Sequence, residues 1–395
     1  MAYNFDEIID RRNTNSEKYD FAVESGKPAD VLPLWVADMD FRVPKGVLAR
    51  IQKDIDLGIF GYSNAKEDYF KVLHRWYLEN FGWDTKPEWL VKTSGVVFAI
   101  ATAVRAFTKE GDAVIIQQPV YYPFSSVVKN NNRKLVNSPL VLRDGRYEMD
   151  LEDFERKIVE NDVKLFILCS PHNPVGRVWT KEELQKVADI CLKYQILIVS
   201  DEIHSDFTYE GHQHMMLASL GDVYADQVIT CTAPSKTFNI AGLQVSNIFI
   251  PNKEKREQFQ KVLTQTGYGG VNMIGLSACQ AAYESGKEWL DELKEYLKGN
   301  LEFVRHFLKE RLPEITLIEP EGTYLIWLDF RRLQLTEEER EHFIVNEAKL
   351  WLDSGVMFGD VGEGFERVNI ACPRATLQEA LERLERAIRK KEVKQ

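Results

Sequence analysis

Residues 164–201 read KLFILCSPHNPVGRVWTKEELQKVADICLKYQILIVSD, and this stretch decides the fold. Leu165-Phe-Ile-Leu-Cys169 is a short unbroken apolar run, the pattern of a strand covered on both faces. It stops at Ser170-Pro-His-Asn-Pro-Val-Gly176, a loop dense in turn formers. Thr180 and Glu183 have capping-box spacing. Leu184, Val187, Ile190 and Cys191 then recur at helical period, and Ile196-Leu-Ile-Val199 forms a second buried strand that ends at Asp201. Strand, helix, strand with this connection length predicts parallel pairing through a right-handed crossover.

Two further runs fit the same sheet: Ala113 to Ile116, before Pro119-Val-Tyr-Tyr-Pro123, and Val228 to Thr232, before Ser235-Lys236. In open α/β sheets ligands sit beyond the carboxyl ends of the strands, so four loops are aimed at one place. The predicted class is α/β, a mainly parallel central sheet flanked by helices with a smaller α+β C-terminal domain. Past Gly286 the pattern becomes a long charged helix, Glu288 to Leu312, then strands at Thr323–Leu328 and Arg367–Ala371 and a last helix opened by Thr376 and Glu379. The expected divisions are residues 1–45, packing beside the small domain, 46–286, the large domain, and 287–395, the small one.

The chain has 395 residues, of which 44% are hydrophobic and 28% charged, enough apolar content for a sizeable core and too much for wholesale disorder. Asp and Glu (61) outnumber Lys and Arg (50), giving a net charge of -11 that disfavours nucleic acid as a partner. The first residues mix acids with bases and lack an apolar core, and no apolar run is long enough for a bilayer, so neither signal peptide nor membrane anchor is expected. Five cysteines, scattered and without CxxC pairing, suit reduced thiols and a cytoplasmic home. His212-Gln-His214 lacks the ligand spacing of a zinc site, and no phosphate-binding GxxxxGK[ST] or GxGxxG opens a helix after a strand. No metal is expected.

The residues suited to chemistry lie in the predicted loops. Lys236 follows a buried strand, where a desolvated amine can serve Schiff-base chemistry; a lone lysine is more often a solvated surface group, so its partners decide. Asp201 ends a strand and can pair with a protonated ring nitrogen, or simply cap a turn. Asn173 can donate its amide to a ring oxygen, Tyr121 offers a stacking face, and Gly95-Val96 opens a helix whose N–H groups can receive phosphate. Arg374 can grip a carboxylate with two parallel bonds, as lysine cannot.

Asn173, Asp201, His204, Ser235-Lys236 and Arg374, in this order, resemble the set in fold-type I pyridoxal phosphate enzymes of the aspartate aminotransferase superfamily. LWVADMDF (34–41), PVYYPF (119–124), SPHNPVGRVW (170–179), SDEIHSDF (200–207), TAPSKTFNIAGL (232–243) and EGTYLIWLDF (321–330) resemble the branch of cystathionine β-lyases and cystalysin, carbon–sulfur lyases. The resemblance implies pyridoxal 5'-phosphate as cofactor, Lys236 as its covalent lysine, Asp201 under the pyridine nitrogen and Asn173 near the ring hydroxyl. It implies Tyr121 stacked on the ring and Gly95, Val96 and Ser235 on the phosphate. His204 stands where many relatives carry Tyr. Ala37, with Asn173 and Arg374, falls to the substrate side. Tyr62 would reach the phosphate of a neighbouring subunit, which implies a homodimer with shared sites.

Two positions depart from the wider superfamily: Ala233 and Gln244 stand where many aminotransferases carry a phosphate-binding Ser and Arg. The implied activity is α,β-elimination from L-cystathionine or L-cysteine. An aminotransferase is the alternative, and a cofactor-holding regulatory protein with little turnover is the reading from another class.

Overall fold

The computed structural model describes residues 2–392. Seven strands form the main sheet: Leu90–Thr93 (β1), Ala113–Ile116 (β2), Lys134–Asn137 (β3), Val163–Cys169 (β4), Leu197–Asp201 (β5), Val228–Thr232 (β6) and Ser246–Phe249 (β7). Their order is β1-β7-β6-β5-β4-β2-β3. Only β7 runs antiparallel to its neighbours, so the sheet is mainly parallel, as expected.

The apolar runs have a direct cause. Along β4, Phe166 and Leu168 enter one hydrophobic cluster while Leu165, Ile167 and Cys169 enter a second on the opposite face. Helices cover both faces, so neither set alternates with polar residues. Helix Lys181–Lys193 follows β4 and begins at the expected capping box: Thr180 Oγ1 accepts from Glu183 N at 3.2 Å, and Glu183 Oε2 accepts from Thr180 N at 2.8 Å.

The long helix Lys287–Arg311 leads to a four-stranded antiparallel sheet: Thr316–Ile318 (β8), Leu325–Asp329 (β9), Asp353–Ser354 (β10) and Phe365–Asn369 (β11), in the order β8-β9-β11-β10. Three expected boundaries shift, the first being the strand expected over Arg367–Ala371, which runs from Phe365 to Asn369. Thr323 does not join β9, because its φ is +68° and its N–H donates to Phe207 O instead of a ladder partner. The last helix starts at Arg374, before Thr376. Arg374 N donates to Tyr296 Oη at 2.7 Å, and Pro373 O accepts from Thr376 N and Leu377 N, so the first turn forms without a threonine cap.

The N-terminal segment packs against the small domain and against the loop that follows Lys236. Leu32–Pro33 pairs in parallel with Leu350–Trp351, and Trp35 stacks on Trp351 with ring centres 4.4 Å apart. Asn369 Nδ2 donates to Val36 O and Asp38 O, while Asn239 accepts from Met39 N and donates to Met39 O and Phe41 O. Two asparagine side chains, one near Lys236 and one from β11, therefore grip residues 36–41. Lys18 is fully buried and bonds Asp40 at 2.7 Å, with Arg11 on Asp38 and Asp40. No helix among the described residues is long and apolar enough to cross a membrane.

Candidate active site

The carboxyl ends of β1, β2, β4, β5 and β6 deliver their loops to one cavity of about 160 Å³. Ala37, Val96, Val97, Tyr121, Cys169, Asn173, Asp201, Ile203, His204, Ser235, Lys236 and Ala241 line it. Most of the residues singled out from sequence thus come together, from segments up to two hundred positions apart.

Lys236 stands in the short helix Pro234–Thr237 that follows β6. Its Nζ donates to Ala37 O at 2.8 Å, and Tyr324 Oη donates to the same oxygen at 2.9 Å. Burial, and after it the Arg367 charge, lower the lysine's pKa to about 8 against the pull of Asp38 and Asp201. Asp201, the last residue of β5, is pushed up to about 7 by burial, against the Ile203 N–H and the charge of Lys236. That N–H, at 3.1 Å, is the one hydrogen bond its carboxylate receives among the described residues. Such a carboxylate has unused capacity for a cationic N–H donor.

Asn173 is held in a loop with cis peptide bonds at Ser170-Pro171 and Asn173-Pro174. Its carbonyl receives Tyr121 N at 3.0 Å, which fixes the Tyr121 ring at the cavity wall. His204 is buried, its ring 5.8 Å from that of Tyr324, with Nδ1 lacking a partner. Burial, then the charges of Lys236 and Arg367, depress its pKa well below the usual value, so the ring is neutral. Gly95 caps helix Val96–Phe107, and a Cβ added there would meet nothing within 4 Å. Open space therefore lies before the free N–H groups of this helix. Ser235 adjoins it in the cavity lining.

Arg374 does not join this group. Its Nε donates to Asn300 Oδ1 at 2.6 Å and its guanidinium lies over Phe303, at the start of the last helix. The guanidinium at the site is that of Arg367, seven positions earlier on β11, which the sequence reading placed only as a strand residue. Arg367 is buried, donates to Asn173 Oδ1 at 3.1 Å and to Trp35 O at 2.8 Å, and pairs with buried Asp353. Its place within a strand carried no signal that its side chain faces the cavity. Tyr62 is fully exposed on the segment after Phe60 and does not reach the cavity within one chain. Ala233 is buried before the short helix, and Gln244 is exposed outside the lining. His214 pairs with Glu202 at 2.7 Å in the interior, and no group of three metal-ligating side chains occurs among the described residues.

Residues 30–384 match the model of the family described as aminotransferase class I and II. The chain is 44% identical over 385 residues to cystathionine beta-lyase PatB of Bacillus subtilis, covering 98% of this chain and 100% of that one. It is 34% identical to a cystathionine beta-lyase of Corynebacterium glutamicum over 90% of this chain and 94% of that one. Cystalysin from Treponema denticola, solved with a pyridoxal 5'-phosphate cofactor, superposes with a TM-score of 0.95 at 41% identity, over 99% of this chain and 100% of its own.

Proposed function

Since the chain belongs to the class I and II aminotransferase family, in its cystathionine β-lyase branch, we propose that it is a pyridoxal 5'-phosphate-dependent carbon–sulfur β-lyase acting on L-cystathionine, L-cysteine or both. With one water, L-cystathionine gives pyruvate, ammonia and homocysteine; L-cysteine gives pyruvate, ammonia and sulfide. The observation that carries this reading is the meeting of Lys236 and Asp201 in one buried cavity, an amine made easy to deprotonate facing a carboxylate short of a cation.

The residues fit the cofactor. Its aldehyde condenses with amines, and its ring accepts the electron pair left on the α-carbon when the α-proton departs. Lys236 would hold the cofactor through its amine and, when free, would take the α-proton on Nζ. Asp201 keeps the ring nitrogen protonated, and a cationic N–H there relieves the cost of its own burial. With the cofactor bound, Asn173 Nδ2 would be the donor for its ring hydroxyl oxygen, and Tyr121 would offer a stacking face. The N–H groups from Val96 onward, with Ser235, hold the phosphate at a helix start. His204, neutral and with Nδ1 open, supplies a hydrogen-bonding edge to the same cavity.

Arg367 holds the substrate carboxylate, because it is the buried guanidinium that already touches Asn173. Tyr62 of a second copy reaches the phosphate and compensates for Ala233 and Gln244, which makes the working unit a homodimer. Five buried, unpaired cysteines support a reducing, cytoplasmic setting.

Borohydride reduction of the holoenzyme should fix the cofactor to Lys236, and Lys236→Ala should abolish pyruvate formation. A variant with near-parental pyruvate output would overturn the assignment. Transamination shares the proton abstraction but expels no β-substituent. Scoring pyruvate against other keto acids, with cystathionine and with an amino acid lacking a leaving group, separates the two.

A further inference from the structure

We infer that Tyr324 is a positioning residue for the amine of Lys236, acting through the Ala37 carbonyl oxygen that both side chains share. This rests on the reading of Lys236 as the group that carries the α-proton. A carbonyl oxygen offers two lone-pair directions, and here each is occupied: Tyr324 Oη at 2.9 Å and Lys236 Nζ at 2.8 Å.

The oxygen is fixed on both sides. Asn369 Nδ2 takes the carbonyls before and after it, Val36 O at 2.7 Å and Asp38 O at 2.6 Å, and Asn239 takes Met39. The phenol is fixed as firmly. Tyr324 is fully buried, edge-on to Phe207 at 4.9 Å, and the backbone that delivers it is constrained at each step. A Cβ at Gly322 would lie 2.6 Å from Phe207 O, and Thr323 holds a φ of +68°, an outlier for a β-branched residue, with Oγ1 bonded to the Leu325 backbone.

Two consequences follow for the amine. With one lone pair taken by the phenol, Nζ is tied along a single direction, leaving its own lone pair for the cavity. Donation by the hydroxyl also draws charge from the oxygen, which weakens its grip on an ammonium and favours the neutral base. The other titratable and charged groups around this amine are Asp201 at the end of β5, His204 in the loop after it, Tyr121 after β2, Asp38 in the N-terminal segment and Arg367 on β11. None of them bonds Nζ in the structure.

The test is Tyr324→Phe, which keeps the ring and removes the hydroxyl. In holoenzyme saturated with 2-aminoisobutyrate, an amino acid without an α-proton, the lysine is free and no elimination follows. Trace acylation of Lys236, read by mass spectrometry across pH, should shift upward by about half a unit in the variant. Replacing Tyr324 by 3-fluorotyrosine, a stronger donor, should shift it downward and keeps the test open if the phenylalanine variant fails to fold. In turnover, kcat should fall about tenfold with KM little changed, and the α-deuterium isotope effect should grow.

Unaltered acylation and isotope effect in the Tyr324 variants would overturn the inference. Parental enzyme that forms no pyruvate would overturn the lyase reading instead, and the acylation measurement does not depend on it.

Discussion

Two arginines seven positions apart illustrate how little residue type decides by itself. Both can grip a carboxylate; only Arg367 stands against a residue that lines the cavity, between Asn173, Trp35 O and Asp353. Arg374 spends its guanidinium on Asn300 and Phe303. Arg367→Lys should raise KM for the amino acid by roughly 10- to 100-fold, as expected when a two-pronged contact becomes a point charge. Arg374→Lys should leave KM unchanged and show itself in thermal stability. Steady-state kinetics of the pair decides, and equal KM values would sink the assignment of Arg367. The sequence could not separate them because every residue of β11 is buried. Without an alternating exposed face, nothing in the string FERVN tells which side chain points to the cavity.

Among elements, the strands and their loops were legible where burial on two faces writes an unbroken apolar run, as in β4, β5 and β6, and where Thr180 and Glu183 mark a helix start. The backbone turn at Thr323 was not, since no local pattern announces a left-handed threonine. What holds that turn against the Asn173 loop is Glu321. It accepts from Arg177 Nε and Val178 N at 2.9 Å each and from Arg146 Nε at 2.8 Å. Burial raises its pKa, but Arg177 and Arg146 outweigh this and keep the carboxyl below its ordinary value.

Glu321→Gln leaves Arg177 with Glu183 as its remaining carboxylate and should cost roughly 3 kcal/mol, typical of breaking a buried pair from one side. The sign with pH is defined. The unfolded carboxyl titrates near 4.5, so the stabilisation is complete above that value and disappears as pH falls through the lower folded pKa. Denaturant unfolding at neutral and at acid pH should show a large gap between parent and variant that closes in acid. A constant gap would refute the ion-pair account.

For the whole molecule, the exposed run Ile55, Leu57, Ile59, Phe60 and Tyr62 is an apolar surface that a lone chain leaves in water. It carries the tyrosine that the resemblance assigns to a second subunit. Phe60→Asp should convert a dimer to monomer in sedimentation and weaken cofactor retention at the same time. A parental chain that sediments as a monomer would refute the shared-site arrangement.

Much of the architecture was readable because large apolar sheets impose their pattern on the chain. The meeting of residues 37, 236, 324 and 367 was not, because it is a property of closure between distant segments. That closure has a consequence for biosynthesis. A nascent chain that has emerged through residue 300 holds Lys236 and Asp201 but neither Tyr324 nor Arg367, and Asn369 has yet to clasp the backbone beside Ala37. The catalytic chamber is therefore finished only after synthesis of the final strand, so prematurely terminated products are left without its last wall.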